Sequence, residues 1–204
     1  MRSALALVLS FAPLTASRWC QLENVKADVH GDFTFSGEWR LDSCTTLQLD
    51  HGKCAEADCP YRVKLGDEEI IELADALHGN TALTAMSISS NKLSDESVKA
   101  LAEALRENEA LNELNLQANQ IGDEGALALA EMLEHNPALS ILNIEQNAVS
   151  DVGGGALLAV LQSNTSALET LHLSGNPISS DMLALVQRTT EQHNLPPPDH
   201  GDEL

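Results

Sequence analysis

The chain has 204 residues, 43% of them hydrophobic, which is enough for one domain that buries its own core. Its 31 acidic and 11 basic side chains give a formal charge of -20. This charge repels the phosphate backbone of nucleic acids and anionic membrane surfaces, and three Phe, two Trp and one Tyr provide little for base stacking. We therefore expect a protein, a peptide or a cation as the partner, and no nucleic acid.

The N-terminus has the pattern of a signal peptide over residues 1–17. Arg2 precedes an apolar run from Ala4 to Leu14, and small residues follow at positions 15–17. The run is shorter than the ~20 residues that a membrane span needs, and it contains Pro13. We therefore expect no membrane span. The alternative interpretation is a buried first helix.

Residues 196–204 form a proline-rich acidic tail that ends in Asp202-Glu203-Leu204. This ending resembles the Lys-Asp-Glu-Leu class of retrieval signals, with Gly201 where Lys or His is usual. Together with a signal peptide it predicts residence in the lumen of the endoplasmic reticulum, with secretion as the alternative. The other interpretation is an ordinary acidic tail.

The cysteines all lie in the first sixty residues, at Cys20, Cys44, Cys54 and Cys59. In an oxidising lumen this set predicts two disulfides, and we favour Cys20 with Cys44 and Cys54 with Cys59 among the three possible pairings. The rival is a zinc site formed by His51 with the last three cysteines. A lumenal location argues against zinc, so we predict no metal and no cofactor. Residues 18–43 are predicted to form an N-terminal cap.

A repeat dominates the rest of the chain. Segments beginning at Leu83, Leu111, Leu139 and Leu168 match L-x-x-L-x-L-x-x-N-x-L without gaps. Their asparagines, 28, 28 and 29 residues apart, are Asn91, Asn119, Asn147 and Asn176. A degenerate fifth copy precedes them, with Leu47 and Leu49 in strand positions. Four consecutive matches in phase predict a repeat array over residues 44–195.

Each predicted strand is followed by apolar residues at helical spacing, such as Val98, Leu101, Ala102 and Leu105. Ser, Gly and Asp residues open these helices, where they supply capping oxygens and negative charge. An asparagine ends each helix, and we expect it to adopt the left-handed conformation of a helix cap. The five residues are Asn80, Asn108, Asn136, Asn164 and Asn194.

These repeats resemble the leucine-rich-repeat family, and their period and acidic helix starts look like its ribonuclease-inhibitor-like subclass. The resemblance implies an α/β solenoid, curved, with parallel strands on the concave face and helices on the convex face. Residues 127–147 are also similar to the leucine-rich domain of tropomodulins, which cap actin filaments. The likeness covers about two repeats, and the tropomyosin-binding half is missing. A signal peptide would place the protein across a membrane from actin, so the likeness implies actin-filament capping only if the signal peptide is absent.

The family's concave face implies a binding surface made of the strand residues that point away from the core. Its predicted partner-binding residues are Ser87, Glu113, Asn115, Gln117, Ile141, Asn143, Glu145, Thr170 and His172, flanked by Ala85, Ser89 and Ser174. Uncharged hydrogen-bonding groups and two glutamates suit a basic or polar peptide. Strong hot spots are usually Trp, Tyr or Arg, which this face lacks, so a solvated face without a partner is the alternative.

Other motifs add little chemistry. Asn164-Thr165-Ser166 is an N-glycosylation sequon at a turn, or simply another turn asparagine. Gly153-Gly154-Gly155 lacks the Gly-Lys-Ser/Thr of a phosphate loop, and we expect it to allow close helix packing. His172 lacks the oriented partners of a catalytic triad, so we predict no catalytic residue.

These patterns predict a non-catalytic protein-interaction module of the secretory lumen, of unknown oligomeric state. An acidic, low-affinity calcium-binding protein is the second interpretation, because carboxylates suit hard cations, although no Asp-x-Asp-x-Asp-Gly loop is present. Tropomodulin-like actin capping is the third.

Overall fold

A computed structural model describes residues 25–27, 33–35, 41, 45–49, 65–163 and 166–193. Short strands alternate with helices in this part of the chain. The elements are β1 (Val25–Ala27), β2 (Phe33–Phe35), β3 (Thr46–Gln48), α1 (Asp67–Leu77), β4 (Ala85–Ser87), α2 (Asp95–Leu105), β5 (Glu113–Asn115), α3 (Asp123–Leu133), β6 (Ile141–Asn143), α4 (Asp151–Gln162), β7 (Thr170–His172) and α5 (Ser180–His193).

Strands β3 to β7 form one parallel sheet in chain order, so each repeat adds one strand beside the last. Neighbouring strands lie about 4.8 Å apart, whereas packed helices need about 8–10 Å. The layer of strands is therefore the shorter, concave side, and the layer of helices is the convex side. The predicted α/β solenoid is confirmed.

The core lies between these two layers. The middle residue of every strand in the sheet points into it and is at most 4% exposed; these residues are Leu47, Met86, Leu114, Leu142 and Leu171. The helices contribute the apolar positions that the sequence pattern predicts, and in α1 these are Ile70, Leu73, Ala74 and Leu77. Because this degenerate copy has the same strand and helix as the others, the array includes it.

Strands β1 and β2 lie in the segment predicted to be an N-terminal cap. They pair antiparallel, with Val25 opposite Phe35 and Ala27 opposite Phe33. Leu41, just before the array, is buried in the core. The boundaries of the cap remain a prediction.

An asparagine side chain joins each turn to the preceding repeat. The Asn147 amide nitrogen donates to the carbonyls of Ile144 and Leu116, at 3.0 and 3.1 Å. Its Oδ1 accepts from the backbone N–H groups of Asn119 and Ile121, both at 3.1 Å. Equivalent bonds link Asn91, Asn119 and Asn176 to the repeat before each of them. The side chain thus satisfies buried main-chain groups that the sheet leaves unpaired.

The asparagines that end the helices act differently from our expectation. None of Asn80, Asn108 and Asn136 has a positive φ; among described residues other than glycine, positive φ occurs at Ser90, Ala118 and Gln146. Asn108 Oδ1 instead accepts from the N–H groups of the residues two and three further on, at 2.9 and 2.8 Å. For these three residues the left-handed prediction is wrong, because the side chain, not the backbone angle, makes the turn. Asn164 and Asn194 lie outside the described residues.

Aspartates at the helix starts join consecutive helices. Asp123, at the first position of α3, accepts from the backbone N–H and Oγ–H of Ser150 at 2.8 and 2.7 Å and from the Gly153 N–H at 3.1 Å. These donors lie at the start of α4, where a helix has unpaired N–H groups. Asp67, Asp95 and Asp151 make the corresponding contacts to the next repeat. The acidic helix starts therefore connect neighbouring repeats.

Glycines at the start of α4 permit close packing, as the sequence predicts. A Cβ on Gly153 would lie 2.8 Å from Ala126 Cβ and 2.9 Å from Val149 Cγ1. The corresponding position on α3 is Gly125, where a Cβ would come within 2.6 Å of Asp95 Oδ1. Small residues at this position let the aspartate of one helix reach the N-terminus of the next.

Candidate functional site

The concave face is built from two outward-pointing columns of strand residues. The register places Thr46, Ala85, Glu113, Ile141 and Thr170 side by side in the first column. The second column consists of Gln48, Ser87, Asn115, Asn143 and His172. The structure therefore brings the predicted strand residues together on one face. It also adds Thr46 and Gln48, which Leu47 in the degenerate repeat could have indicated.

The two asparagines of the second column use their oxygens to end the strands. Asn115 Oδ1 accepts from the Gln117 N–H at 3.0 Å, and Asn143 Oδ1 accepts from the Glu145 N–H at 2.9 Å. Their amide nitrogens make no hydrogen bond to any described residue. Both side chains are half-buried. The face therefore presents N–H donors that are held in place by their own strand ends.

The residues just beyond the strands are less regular. Gln117 and Glu145 lie side by side, with Gln117 Nε2 3.5 Å from Glu145 Oε2. Ser174 is exposed, but Ser89, at the same position in the first full repeat, is completely buried. Ser89 was expected on the exposed face, and its complete burial shows that this expectation was wrong.

A shallow depression of about 250 Å³ lies on this face over β3, β4 and β5. Its lining residues are Thr46, Leu47, Gln48, Ala85, Met86, Ser87, Glu113 and Asn115. Glu113 is the one ionisable residue among them. The depression combines one carboxylate with amide and hydroxyl groups above an apolar base.

His172 makes no side-chain hydrogen bond to Ser174, Glu145 or any other described residue. The described residues also contain no group of three or more His, Cys, Asp or Glu side chains placed to hold a metal ion. None of the helices in the described ranges is long and apolar enough to cross a membrane.

The repeat segments match two family models described as leucine-rich repeats. One matches residues 79–102, 107–130 and 135–158, and the other matches residues 167–187. These segments are leucine-rich repeats. A search of curated protein sequences finds no match.

A search of solved structures finds matches that include two named domains. "Leiomodin-1 Actin-Binding Site 2 (ABS2)" is 18% identical with a TM-score of 0.56, over 73% of this chain and 80% of that one. A tropomodulin C-terminal domain from Caenorhabditis elegans is 21% identical with a TM-score of 0.44, over 62% of this chain and 92% of that one. The first likeness supports the leucine-rich-repeat solenoid fold.

These comparisons correct the predicted location. We expected the endoplasmic reticulum lumen or secretion, from residues 1–17 and the last residues of the chain. The leiomodin-1 structure is named for actin binding, which points away from that compartment, so the prediction is wrong. The short terminal patterns on which it depended are far less specific than the repeats.

Several other predictions fall outside the described residues. Cys20, Cys44, Cys54 and Cys59 all do, and so does the sequon residue Asn164. The disulfide pairing and the glycosylation remain predictions. Both depended on a lumenal location, so their main supporting argument no longer holds.

Proposed function

We propose that this chain is a non-catalytic protein-binding solenoid that contacts its partner through the concave strand face. The observation that carries the proposal is the in-register pair of columns on β3 to β7. Five parallel strands hold ten outward-pointing side chains at regular spacing, and the amide donors of Asn115 and Asn143 have no described partner. A rigid surface of this kind binds extended protein segments at little cost in ordering its own groups.

Actin is the partner that we propose. The support is the likeness to the leiomodin-1 actin-binding structure, which extends over most of both chains. It agrees with the similarity of residues 127–147 to the leucine-rich domain of tropomodulins. Assignment to the ribonuclease-inhibitor-like subclass remains part of the proposal, supported by the 28-residue period between Asn91, Asn119 and Asn147.

Calcium buffering is less well supported than protein binding. The carboxylates of Asp67, Asp95, Asp123 and Asp151 accept hydrogen bonds from the next repeat. An oxygen that accepts a main-chain N–H is less available to a hard cation, and calcium needs six to eight oxygens. We therefore keep protein binding as the proposed function.

The test is co-sedimentation with actin filaments and binding to actin monomers, using Ile141→Arg and Leu127→Arg. Ile141 is half-buried on the concave face, whereas Leu127 is 42% exposed on α3, in the helical layer. Both changes replace an aliphatic side chain with the same cation. We expect Ile141→Arg to weaken binding about tenfold or more, since a bulky charge disrupts a packed interface, and Leu127→Arg to have little effect.

Two results would count against the proposal. Unmodified protein that binds neither form of actin removes actin as the partner. If Leu127→Arg weakens binding as much as Ile141→Arg, the concave face is not the contact surface. Circular dichroism of both variants checks that each one is folded.

A further inference from the structure

The depression on the concave face exists because one repeat has small side chains. In the first column Ala85 lies between Thr46 and Glu113, and in the second Ser87 lies between Gln48 and Asn115. The larger residues on either side form the walls, and the short side chains of β4 leave a space of about 250 Å³. This is less than the roughly 300–1,000 Å³ of small-molecule clefts, so it suits one side chain of a partner.

The charge around the depression selects a cation. Glu113 is exposed, and its carboxylate makes no hydrogen bond or ion pair with any described residue. Glu145 lies on the same face one strand further on, just past the end of β6, and no Lys or Arg occurs at the described outward positions of the five strands. A cationic side chain at the depression therefore meets an unpaired carboxylate and no like charge.

The arrangement of donors and acceptors favours arginine over lysine. The two carboxylate oxygens of Glu113 match the planar fork of a guanidinium group, which can donate to both of them. Asn115 Oδ1 is already used by the Gln117 N–H, so the neighbouring amide offers its N–H to the partner. An arginine in an extended segment would satisfy both groups, with its side chain on Glu113 and a backbone carbonyl on Asn115.

We infer that the depression lined by Ala85, Ser87, Glu113 and Asn115 binds an arginine side chain from an extended segment of the protein partner. This inference rests on the proposed function, since it names what the concave face contacts. Glu113 supplies the charge and Asn115 fixes the direction of the segment.

The test uses nuclear magnetic resonance of the isotope-labelled full chain with three capped tripeptides. Their central residues are arginine, citrulline and lysine, and citrulline keeps the shape of arginine without its charge. We expect the arginine peptide to shift the amide signals of Ala85, Ser87, Glu113 and Asn115. Citrulline should bind about tenfold more weakly or worse, because the charge-assisted hydrogen bonds are lost, and lysine should lie between the two.

Two matched variants locate the site. Glu113→Gln removes the proposed charge while keeping the size of the side chain, and should weaken arginine binding about tenfold. Glu131→Gln makes the same change at an exposed position on α3, in the helical layer, and should leave binding within about twofold. The spectrum of each variant also reports whether it is folded.

The outcomes separate this inference from the proposed function. Equal effects of the two variants, equal binding of arginine and citrulline, or no shift at all would overturn the arginine site. Shifts centred on Asn143 and His172 would overturn it too, while leaving the concave face as the binding surface. Shifts confined to the helices, together with unweakened actin binding by Ile141→Arg, would count against both the arginine site and the concave face as the binding surface.

Discussion

Asparagine side chains replace main-chain hydrogen bonds at two places in the described repeats. One set joins each turn to the repeat before it, and the other forms the turn after each helix. Asn136 shows the second use: its Oδ1 accepts from the Leu139 N–H at 2.7 Å, and its Nδ2 donates to the Asn108 carbonyl at 3.0 Å. An amide serves here because it donates and accepts on one planar group.

The residue-scale prediction concerns Asn147→Asp. Aspartate has the same shape but cannot donate, so at neutral pH its carboxylate would face the carbonyls of Ile144 and Leu116. We expect the free energy of unfolding to fall by about 2–3 kcal/mol, because two partly buried acceptors lose their donor. Urea unfolding measures the change.

The control is Asn112→Asp, at an exposed site where one amide bond to the Ala138 carbonyl is lost. This substitution should lower the free energy of unfolding by less than about 1 kcal/mol. If both variants lower the free energy of unfolding by the same amount, the turn asparagines contribute no more than an ordinary surface hydrogen bond.

At the scale of elements, the close packing of neighbouring helices depends on glycines, which have no side chain. Gly153 and Gly155 both lie near the start of α4 but have different surroundings. A Cβ on Gly153 would lie 2.8 Å from both Ala126 Cβ and Asp123 Oδ1, whereas a Cβ on Gly155 would meet only Met182 Cε at 3.8 Å. One glycine is required by the neighbouring helix, and the other is not.

Alanine substitutions at these two glycines should therefore change stability in opposite directions. Gly153→Ala should destabilise the fold by about 1–3 kcal/mol, because α3 and α4 must separate. Gly155→Ala should stabilise it by up to about 1 kcal/mol, the difference in helix propensity between the two residues. Thermal unfolding of both variants measures the effect. A gain in stability for Gly153→Ala would show that the two helices can shift without cost.

The sequence indicates the elements well because a buried strand position recurs every 28 or 29 residues. Leu114 and Leu142 were predictable from the repeat, and so was their alignment across the sheet. Contacts between repeats were harder to predict from the sequence, since they depend on the distance between one turn and the next. The hydrogen bonds that Asp123 accepts from Ser150 and Gly153 at the start of the next helix belong to this group.

For the candidate site, the sequence indicates position better than shape. Glu113 and Asn115 were expected on the concave face because outward residues alternate with the buried Leu114. The depression was not expected, because it depends on Thr46 and Gln48 from the degenerate repeat standing beside the small Ala85 and Ser87. Compartment and partner depend on still weaker signals, and the lumenal prediction failed for that reason.

Across the whole molecule, one row of aspartates connects the helices from α1 to α5. In a solenoid each repeat contacts only its neighbours, so stability depends on these interfaces. The serine hydroxyl and backbone N–H of Ser150 and the Gly153 N–H hold the pKa of Asp123 below its ordinary value. Burial raises the pKa of Asp67, but hydrogen bonds from Ser94 and Ser97 outweigh it and leave that pKa lowered as well. Ionised aspartates therefore stabilise the folded array.

The direction of the pH dependence follows from these lowered pKa values. A carboxyl whose pKa is lower in the folded state than in the unfolded one stabilises the fold above its unfolded pKa, near 3.8. That contribution is lost as the pH falls through the folded pKa. For Asp123→Asn we expect lower stability than the unmodified protein at pH 7, with the difference shrinking below about pH 4 as Asp123 becomes protonated. Urea midpoints measured from pH 7 to about pH 2.5 test this.

Glu131→Gln separates this effect from the overall loss of negative charge. Glu131 is exposed on α3, and its carboxylate accepts no hydrogen bond from another described residue. Its substitution changes the net charge by the same amount as Asp123→Asn without touching a contact between repeats. Its urea midpoints should therefore run nearly parallel to those of the unmodified protein. If instead both variants converge on the unmodified protein in acid, acid unfolding reflects net charge, and the row of aspartates has no special part in holding the repeats together.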